Sequence, residues 1–358
     1  YKMKLTIIND THLGVKRQTG TTPNSQKELE DYTLGKFKQL LELADGDLLI
    51  NGDLFDGYTV SKQVEFATFK MLLSWVNSGN GTLYLSAGNH DLSKDSDKTS
   101  SFQNLCKYLL ASVASRVKTI GNCFGDEYMV VSEHNAVIIP HVVNQETFND
   151  ILDKVLNFSE KYVFVHANFD NNFAKEADHS LNISAEFADR FRLAGKVLVF
   201  AHEHNSREFK YEGSSYVLIT GNQFPTSVSD CLDKNKAKFY TTLEDGELKL
   251  HESEDLSQIF KELDWKDLAD FESSKFKFIR VTGVVAQSQS AEIVKAISNF
   301  RKKSTAFVIT NAAKAVTVND KLQINLEDTT TSSVHKLLLE HIPEECKHLL
   351  EEIMKNVN

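Results

Sequence analysis

The chain has 358 residues, 41% of them apolar, enough to bury a large catalytic domain and leave one or two smaller modules. With 50 Asp and Glu against 40 Lys and Arg the formal net charge is −10, which argues against a protein that coats nucleic acid through a broadly basic surface. No apolar run of about eighteen residues reads as a membrane span. Nothing near the N-terminus has a signal-peptide layout, and Tyr1 and Lys2 ahead of Met3 read as cloning residues. Cys106, Cys123, Cys231 and Cys346 show no CxxC spacing, so a reducing, cytoplasmic setting is expected.

In chain order, the first two-thirds repeat one pattern: a short apolar segment that reads as a buried strand, then a turn rich in Asp, His, Asn or Gly. Residues 4–9 (KLTIIN) lead into Asp10-Thr11-His12-Leu13-Gly14, and 47–51 (DLLIN) into Gly52-Asp53-Leu54-Phe55-Asp56. Residues 82–87 (TLYLSA) lead into Gly88-Asn89-His90-Asp91, 161–165 (KYVFV) into His166, and 196–200 (KVLVF) into Ala201-His202-Glu203-His204. Apolar residues at helical spacing predict helices near 26–44, 62–78, 98–115 and 145–158. The alternation predicts an α/β class. It also places the polar clusters at the carboxyl edges of sheets, where open α/β sheets gather ligands. Residues 215–252 read as strands with tight turns that close a domain spanning 1–252.

Composition then shifts. Residues 253–272 are acidic and predicted helical around Trp265, and 275–311 read as a strand–helix–strand unit, giving a small second domain over 253–318. A Thr/Ser-rich linker is expected at 319–333. Residues 334–358 read as two short amphipathic helices, the second starting at Pro343. Their apolar stripe is led by Leu337, Leu338, Leu349, Leu350, Ile353 and Met354, and fits either ordinary core or a docked partner segment.

The five turns together offer two carboxylates (Asp10, Asp53), one amide oxygen (Asn89) and four imidazoles (His12, His166, His202, His204). A single metal site would use about half of these donors, and two ions bridged by a carboxylate would use all of them. Asp10 and His12 are two apart, as are His202 and His204, so in an extended segment each pair would leave one face. A lone DxH, HxH or GD dipeptide is an ordinary turn. The metal reading rests on the conjunction, every cluster following an apolar strand. Oxygen and nitrogen donors without thiolate suit manganese, iron or zinc better than calcium.

The pattern DxH…GDxxD…GNHD…H…HxH resembles the calcineurin-like metallophosphoesterases. The fuller forms DTHLG and GDLFD, with the later ITGNQFPTSVSD, look like the SbcD branch, nuclease subunits of double-strand-break repair complexes. The likeness covers roughly 3–252, with Ala201 standing where the family usually has Gly. It implies a sandwich of two mixed β-sheets flanked by helices, then a small α+β capping domain and a C-terminal helical pair. It also implies two divalent ions, Mn2+ first among them. One would be held by Asp10, His12, Asp53 and His204, the other by Asp53, Asn89, His166 and His202, with Asp53 bridging. His90 would stay off the metals and protonate the leaving oxygen, with Asp56 as its carboxylate partner.

By the same resemblance the substrate is DNA, cut as duplex exonuclease and single-strand endonuclease. The partner is an SbcC-like coiled-coil ATPase, in a complex holding a homodimer of this chain. The source would be bacterial or phage, and the location cytoplasmic, the host's cytoplasm for a phage protein. Two other readings use the same residues: a phosphomonoesterase or cyclic-nucleotide phosphodiesterase, and a scaffold that lost the chemistry. The intact donor set weighs against the scaffold, and the separate C-terminal third against a small-molecule enzyme. Lys16 and Arg17, directly after DTHLG, are candidates to hold a DNA phosphate, or simply a solvated loop. His141 reads as a strand end near the site, and His134, His179, His251, His335, His341 and His348 as surface residues.

Overall fold

The computed structural model describes residues 4–17, 20–79, 81–92, 98–171 and 180–316. The expected linker at 319–333 and the tail bearing Leu337, Leu338, Leu349, Leu350, Ile353 and Met354 lie outside them. The chain begins β1 (Lys4–Ile8), α1 (Pro23–Leu43), β2 (Asp47–Asn51), α2 (Lys62–Asn77), β3 (Leu83–Ser86), α3 (Ser101–Val113) and β4 (Val117–Ile120). Next come β5 (Met129–Val131), β6 (Ala136–Ile139), α4 (Gln145–Leu156), β7 (Tyr162–His166), β8 (Asn168–Phe169), β9 (Asn182–Ile183), α5 (Ala185–Leu193) and β10 (Val197–Ala201). β11 (Arg207–Tyr211), β12 (Ser214–Ile219) and the hairpin β13 (Ala237–Glu244) and β14 (Glu247–Asp255) follow.

Two six-stranded mixed sheets result, in the orders β14-β13-β1-β2-β3-β4 and β11-β12-β10-β7-β6-β5. β1 to β4 run parallel, with β13 antiparallel to β1. β6, β7, β10 and β12 run parallel in the other sheet, flanked by antiparallel β5 and β11.

Alternation along the strands explains the layering. Leu5, Ile7, Leu49, Tyr84, Ile138, Phe164 and Val199 share one cluster drawn from both sheets. Their neighbours Ile8, Leu48, Ile50, Leu83 and Leu85 pack instead with residues of α1, α2 and α3. Val137, Val163, Val165, Leu198 and Phe200 pack with residues of α4 and α5. Strands covered on both faces read as continuous apolar runs, which is why the sequence shows runs and not alternation. The helices start where the sequence supplies caps. Thr22, Ser61, Ser100, Asn144 and Ser184 each accept a bond from the main-chain N–H three residues on, and each cap contributes about 1 kcal/mol.

One expectation is corrected beyond residue 252. The acidic segment 253–272 is not a long helix. β14 runs on to Asp255, α6 (Leu256–Ile259) is a single turn, and β15 (Phe260–Asp264) pairs in parallel with β16 (Phe278–Thr282). Ladder pairing with a neighbouring strand overrides local propensity there. The strand–helix–strand unit is present. After β17 (Val284–Ala286), α7 (Ser290–Lys303) leads to β18 (Val308–Asn311), parallel to β16, and the described chain ends in β19 (Lys314–Val316).

Among the described residues, 4–283 and 291–314 form one compact unit, and 284–290 with 315–316 belong to a second. The first unit is continuous because Leu256, Phe278, Phe307 and Val308 share a core with Val15 and Leu29. Tyr32 of α1 packs its ring against Phe278 and Phe307 and donates its hydroxyl to Glu254 at 2.8 Å.

His134 is also not a surface residue. It is buried, with Nε2 2.6 Å from Asp47 Oδ2. His251 stacks on Tyr240 and bonds Thr242, while His179, His335, His341 and His348 lie outside the described residues. No described helix is long and apolar enough to cross a membrane.

Candidate dinuclear metal centre

Parallel strands deliver the five polar turns to one place. The turns after β1 and β2 are zipped together by main-chain bonds, Asp10 N to Gly52 O and His12 N to Asp53 O at 3.1 Å each, and Leu13 N to Leu54 O at 2.9 Å. Asp91 ties in the turn after β3, its buried carboxylate accepting from the N–H groups of Gly88, Phe55 and Leu54. The second sheet is joined through His202, whose N–H donates to Asp10 Oδ2 at 2.9 Å, and through Asn51, whose side chain donates to Val165 O.

The convergence is built on unusual backbone. Asp10, His12, Asp53 and His202 have φ of 51°, 43°, 50° and 86°, four of the nine described non-glycine residues in left-handed conformation. Such conformations cost of order 1–3 kcal/mol each and collect at functional sites. They also correct the expected geometry: Asp10 and His12 share the site through left-handed turns, not through strand alternation. Gly52, at φ +87°, is required by close approach, since a Cβ there would lie 2.2 Å from His166 Nδ1.

Among the described residues three groups of possible ligands result, one of them His12, Asp56 and His90 and the other two the expected donor sets. In one of those two sets, Asp10, His12 and His204 offer ligand atoms within 4.8 Å of one another, and in the other Asp53, His166 and His202 do the same. Asn89 joins the second, its Oδ1 lying 2.9 Å from His166 Nε2 and 3.0 Å from His202 Nδ1. Asp53 touches both sets: its Oδ2 is 3.3 Å from His166 Nε2 and 3.8 Å from His12 Nε2. Its Oδ1 accepts the His90 N–H at 2.9 Å.

The donor chemistry fits divalent cations. His12 Nε2 faces His204 Nε2 at 3.1 Å, and Asp10 Oδ1 is buried with no hydrogen-bond partner. Lone pairs set against lone pairs need either protons or a cation between them. Two of the imidazoles are also held in the form a metal needs. His166 Nδ1 bonds Asn51 O at 3.2 Å and His204 Nδ1 bonds Asp230 Oδ1 at 2.8 Å, leaving Nε2 of each for the cluster.

Electrostatics follow from this crowding. Burial opposes charge on Asp53, but His166, His12 and His90 hold its carboxyl well below the usual range. Burial lowers His166, and the adjoining Asp53 more than restores it, to about 9. Burial likewise opposes the His204–Asp230 pair, yet each partner stabilises the other's charge, raising His204 and lowering Asp230. Burial, then the Asp53 charge, pushes Asp91 up to about 6.

The other expected residues sort as follows. His90 lines the same cleft as His12, Asp53, Asp56, His202 and His204, a cavity of about 220 Å³. Its Nδ1 bonds the main-chain oxygen of Asp56 at 2.7 Å, not the carboxylate expected from the resemblance. The Asp56 carboxylate instead lies 3.3 Å from His12 Nδ1. Arg17 lines the cleft, while Lys16 is exposed outside it. His141 donates its N–H to Ala87 O and sits edge-on to His166, and burial with that neighbour pushes it down to about 3.

Residue-by-residue reading missed Asp230, Asn9 and Asp91 as supports. Asn9 donates to Asp10 Oδ2 at 2.6 Å and is itself held by Gln223 and Thr220. The available signal was position, since Asp91 ends GNHD and Gln223 and Asp230 lie within ITGNQFPTSVSD.

A sandwich of two mixed sheets flanked by helices, with carboxylates, an amide and imidazoles gathered at its strand ends, defines an α/β metallohydrolase architecture with a candidate two-metal site. The sequence model of the calcineurin-like phosphoesterases matches residues 3–219, and the chain belongs to that family. No curated protein matches it in sequence. Among solved structures, a purple acid phosphatase from yellow lupin (Lupinus luteus) seeds aligns at 11% identity and a TM-score of 0.39, over 71% of this chain and 52% of that one. This chain therefore spans about half the length of the lupin enzyme. A dimetal phosphatase from Danio rerio aligns at 11% identity and a TM-score of 0.38, over 71% and 97% of the respective chains.

Proposed function

We propose that the chain is a DNA nuclease using two divalent ions, most naturally Mn2+, and working as an exonuclease on duplex ends and an endonuclease on single strands. In this reading it is the nuclease subunit of an SbcCD-like complex for DNA repair and recombination, partnered by a coiled-coil ATPase. The observation that carries the two-metal part is Asp53 Oδ2, set between His12 of one donor set and His166 of the other. The DNA part is supported by DTHLG and GDLFD, and by the β16–α7–β18 unit that follows the sheets in the chain.

Asp10, His12, Asp53 and His204 would hold one ion, and Asp53, Asn89, His166 and His202 the other. Bound there, divalent ions supply charge neutralisation on the phosphate and water activation. The chain's own residues do the rest. Asn9 and the His202 N–H fix the Asp10 carboxylate, and Asn51 O and Asp230 fix the rings of His166 and His204. His90, with Nδ1 committed to Asp56 O, keeps Nε2 to hold and deliver a proton to the leaving oxygen.

The test is to incubate the purified protein with Mn2+ or Mg2+ and a 3′-labelled duplex, single-stranded circles, bis-p-nitrophenyl phosphate and p-nitrophenyl phosphate in parallel. Cleavage of both DNA forms and of the diester is expected. Turnover of the monoester alone would replace the nuclease reading with a phosphomonoesterase. Truncation after Asn319 should leave diester cleavage intact while abolishing co-purification with the ATPase, and loss of both would make the tail part of the core.

A further inference from the structure

We infer that Arg17 binds the phosphoryl group of the substrate inside the metal cleft, its guanidinium presenting an end-on pair of N–H donors to two non-bridging oxygens. The inference rests on the phosphoesterase reading of the site and adds a contact made by the chain itself. A guanidinium has five N–H donors in fixed directions. Two of Arg17's are committed on one side edge, Nε to Thr226 O at 3.1 Å and Nη2 to Thr226 Oγ1 at 3.0 Å. That leaves three, including the end-on pair shared by Nη1 and Nη2.

The residue is held at both ends. Its N–H donates to Gln26 Oε1 at 2.9 Å and its carbonyl accepts from Thr21 Oγ1 at 2.6 Å, so the main chain is anchored to the start of α1. Among the described residues no carboxylate forms an ion pair with it, although it shares a cleft of about 220 Å³ with Asp53 and Asp56. A cleft of that size brings a phosphoryl group into reach of Arg17 and His90 together. A guanidinium held rigidly on one edge and open on the other is suited to planar recognition of phosphate oxygens. Lys16 is exposed and does not line the cleft, so of the two cations after DTHLG only Arg17 is placed for this task.

Thr226 also donates to Asp230 Oδ2, through its N–H at 2.8 Å and its hydroxyl at 3.0 Å, and Asp230 bonds His204. Arg17 could therefore act on the centre indirectly, and the experiment must separate the two routes. Wild type, Arg17→Gln and Arg17→Lys are loaded with Mn2+. Bound metal is counted, and inorganic phosphate binding is measured by calorimetry. The KM and kcat for bis-p-nitrophenyl phosphate and p-nitrophenyl phosphate are then compared, to separate diester from monoester recognition.

Arg17→Gln should keep both ions, bind phosphate about 10–100-fold more weakly, and raise KM more than it lowers kcat. Arg17→Lys should recover only part, being a point charge without the fork. Equal phosphate affinity in wild type and Arg17→Gln overturns the inference. Metal lost in parallel with phosphate also overturns it, by assigning Arg17 to the Thr226–Asp230–His204 chain. A wild type that binds metal but no phosphate removes the phosphoesterase reading along with it. Weakened phosphate binding in a protein that leaves DNA uncut supports Arg17 and removes only the nuclease.

Discussion

His166 and His204 occupy matching places in the two donor sets, yet they are held by different means. His166 is 1% exposed and leans on a main-chain carbonyl, Asn51 O at 3.2 Å. The His204 side chain is 29% exposed and leans on a carboxylate, Asp230 Oδ1 at 2.8 Å. A carbonyl brace cannot be deleted by mutating a side chain. It depends on the bare Gly52 backbone beside the ring. A carboxylate brace makes the imidazole more basic and can be removed in one substitution. The two halves of one centre are therefore vulnerable at different places, one to added bulk and the other to lost charge.

The comparison sets an order of expected effects on metal content. Asp53→Ala touches both sets and should lose both ions, with diester turnover falling in step. Two ions retained on metal counting would overturn the proposed bridging by Asp53. Gly52→Ala should come next. The added Cβ would meet His166 Nδ1 at 2.2 Å, from a backbone at φ +87° that costs a non-glycine residue about 1–2 kcal/mol. Loss of the ion in the His166 set and a lowered melting temperature are expected. Wild-type metal content in this variant would mean that the ring can move without consequence.

Asp230→Asn should be milder, weakening the ion in the His204 set by about 10–100-fold while sparing the other. Equal weakening of both ions, measured by competition with a chelator, would show that the halves are not independent. Smallest on metal content is His90→Asn, which should keep both ions yet lower turnover by about 10²–10⁴-fold, the scale of a lost general acid. Metal lost alongside activity would make His90 a ligand.

Much of this was legible without the fold. The strands at 4–8, 47–51, 83–86, 162–166 and 197–201 stand within a residue or so of their sequence-based positions, with the donors at or just beyond their ends. The reason is local: runs of Val, Ile, Leu and Phe buried on two faces, each ended by residues that favour turns. The region after 252 was less legible because its strands depend on partners. The acidic segment 253–272 reads as helical in sequence, but β15 within it pairs along its whole length with β16. His134 gave no sign that Asp47, 87 positions away, would pair with it.

The sequence by itself determined the donor inventory, the order of its turns and the α/β class, because composition and short-range periodicity encode them. Only the tertiary structure decided which donors meet: His12 faces His204 across 192 positions, and His166 faces Asn89 across 77. It also decided that His90 leans on the carbonyl of Asp56 while the Asp56 carboxylate turns toward His12. Those choices rest on left-handed turns at Asp10, His12 and Asp53. Such turns are unfavourable alone and hold only where two packed sheets and a mesh of long-range hydrogen bonds fix the chain around them.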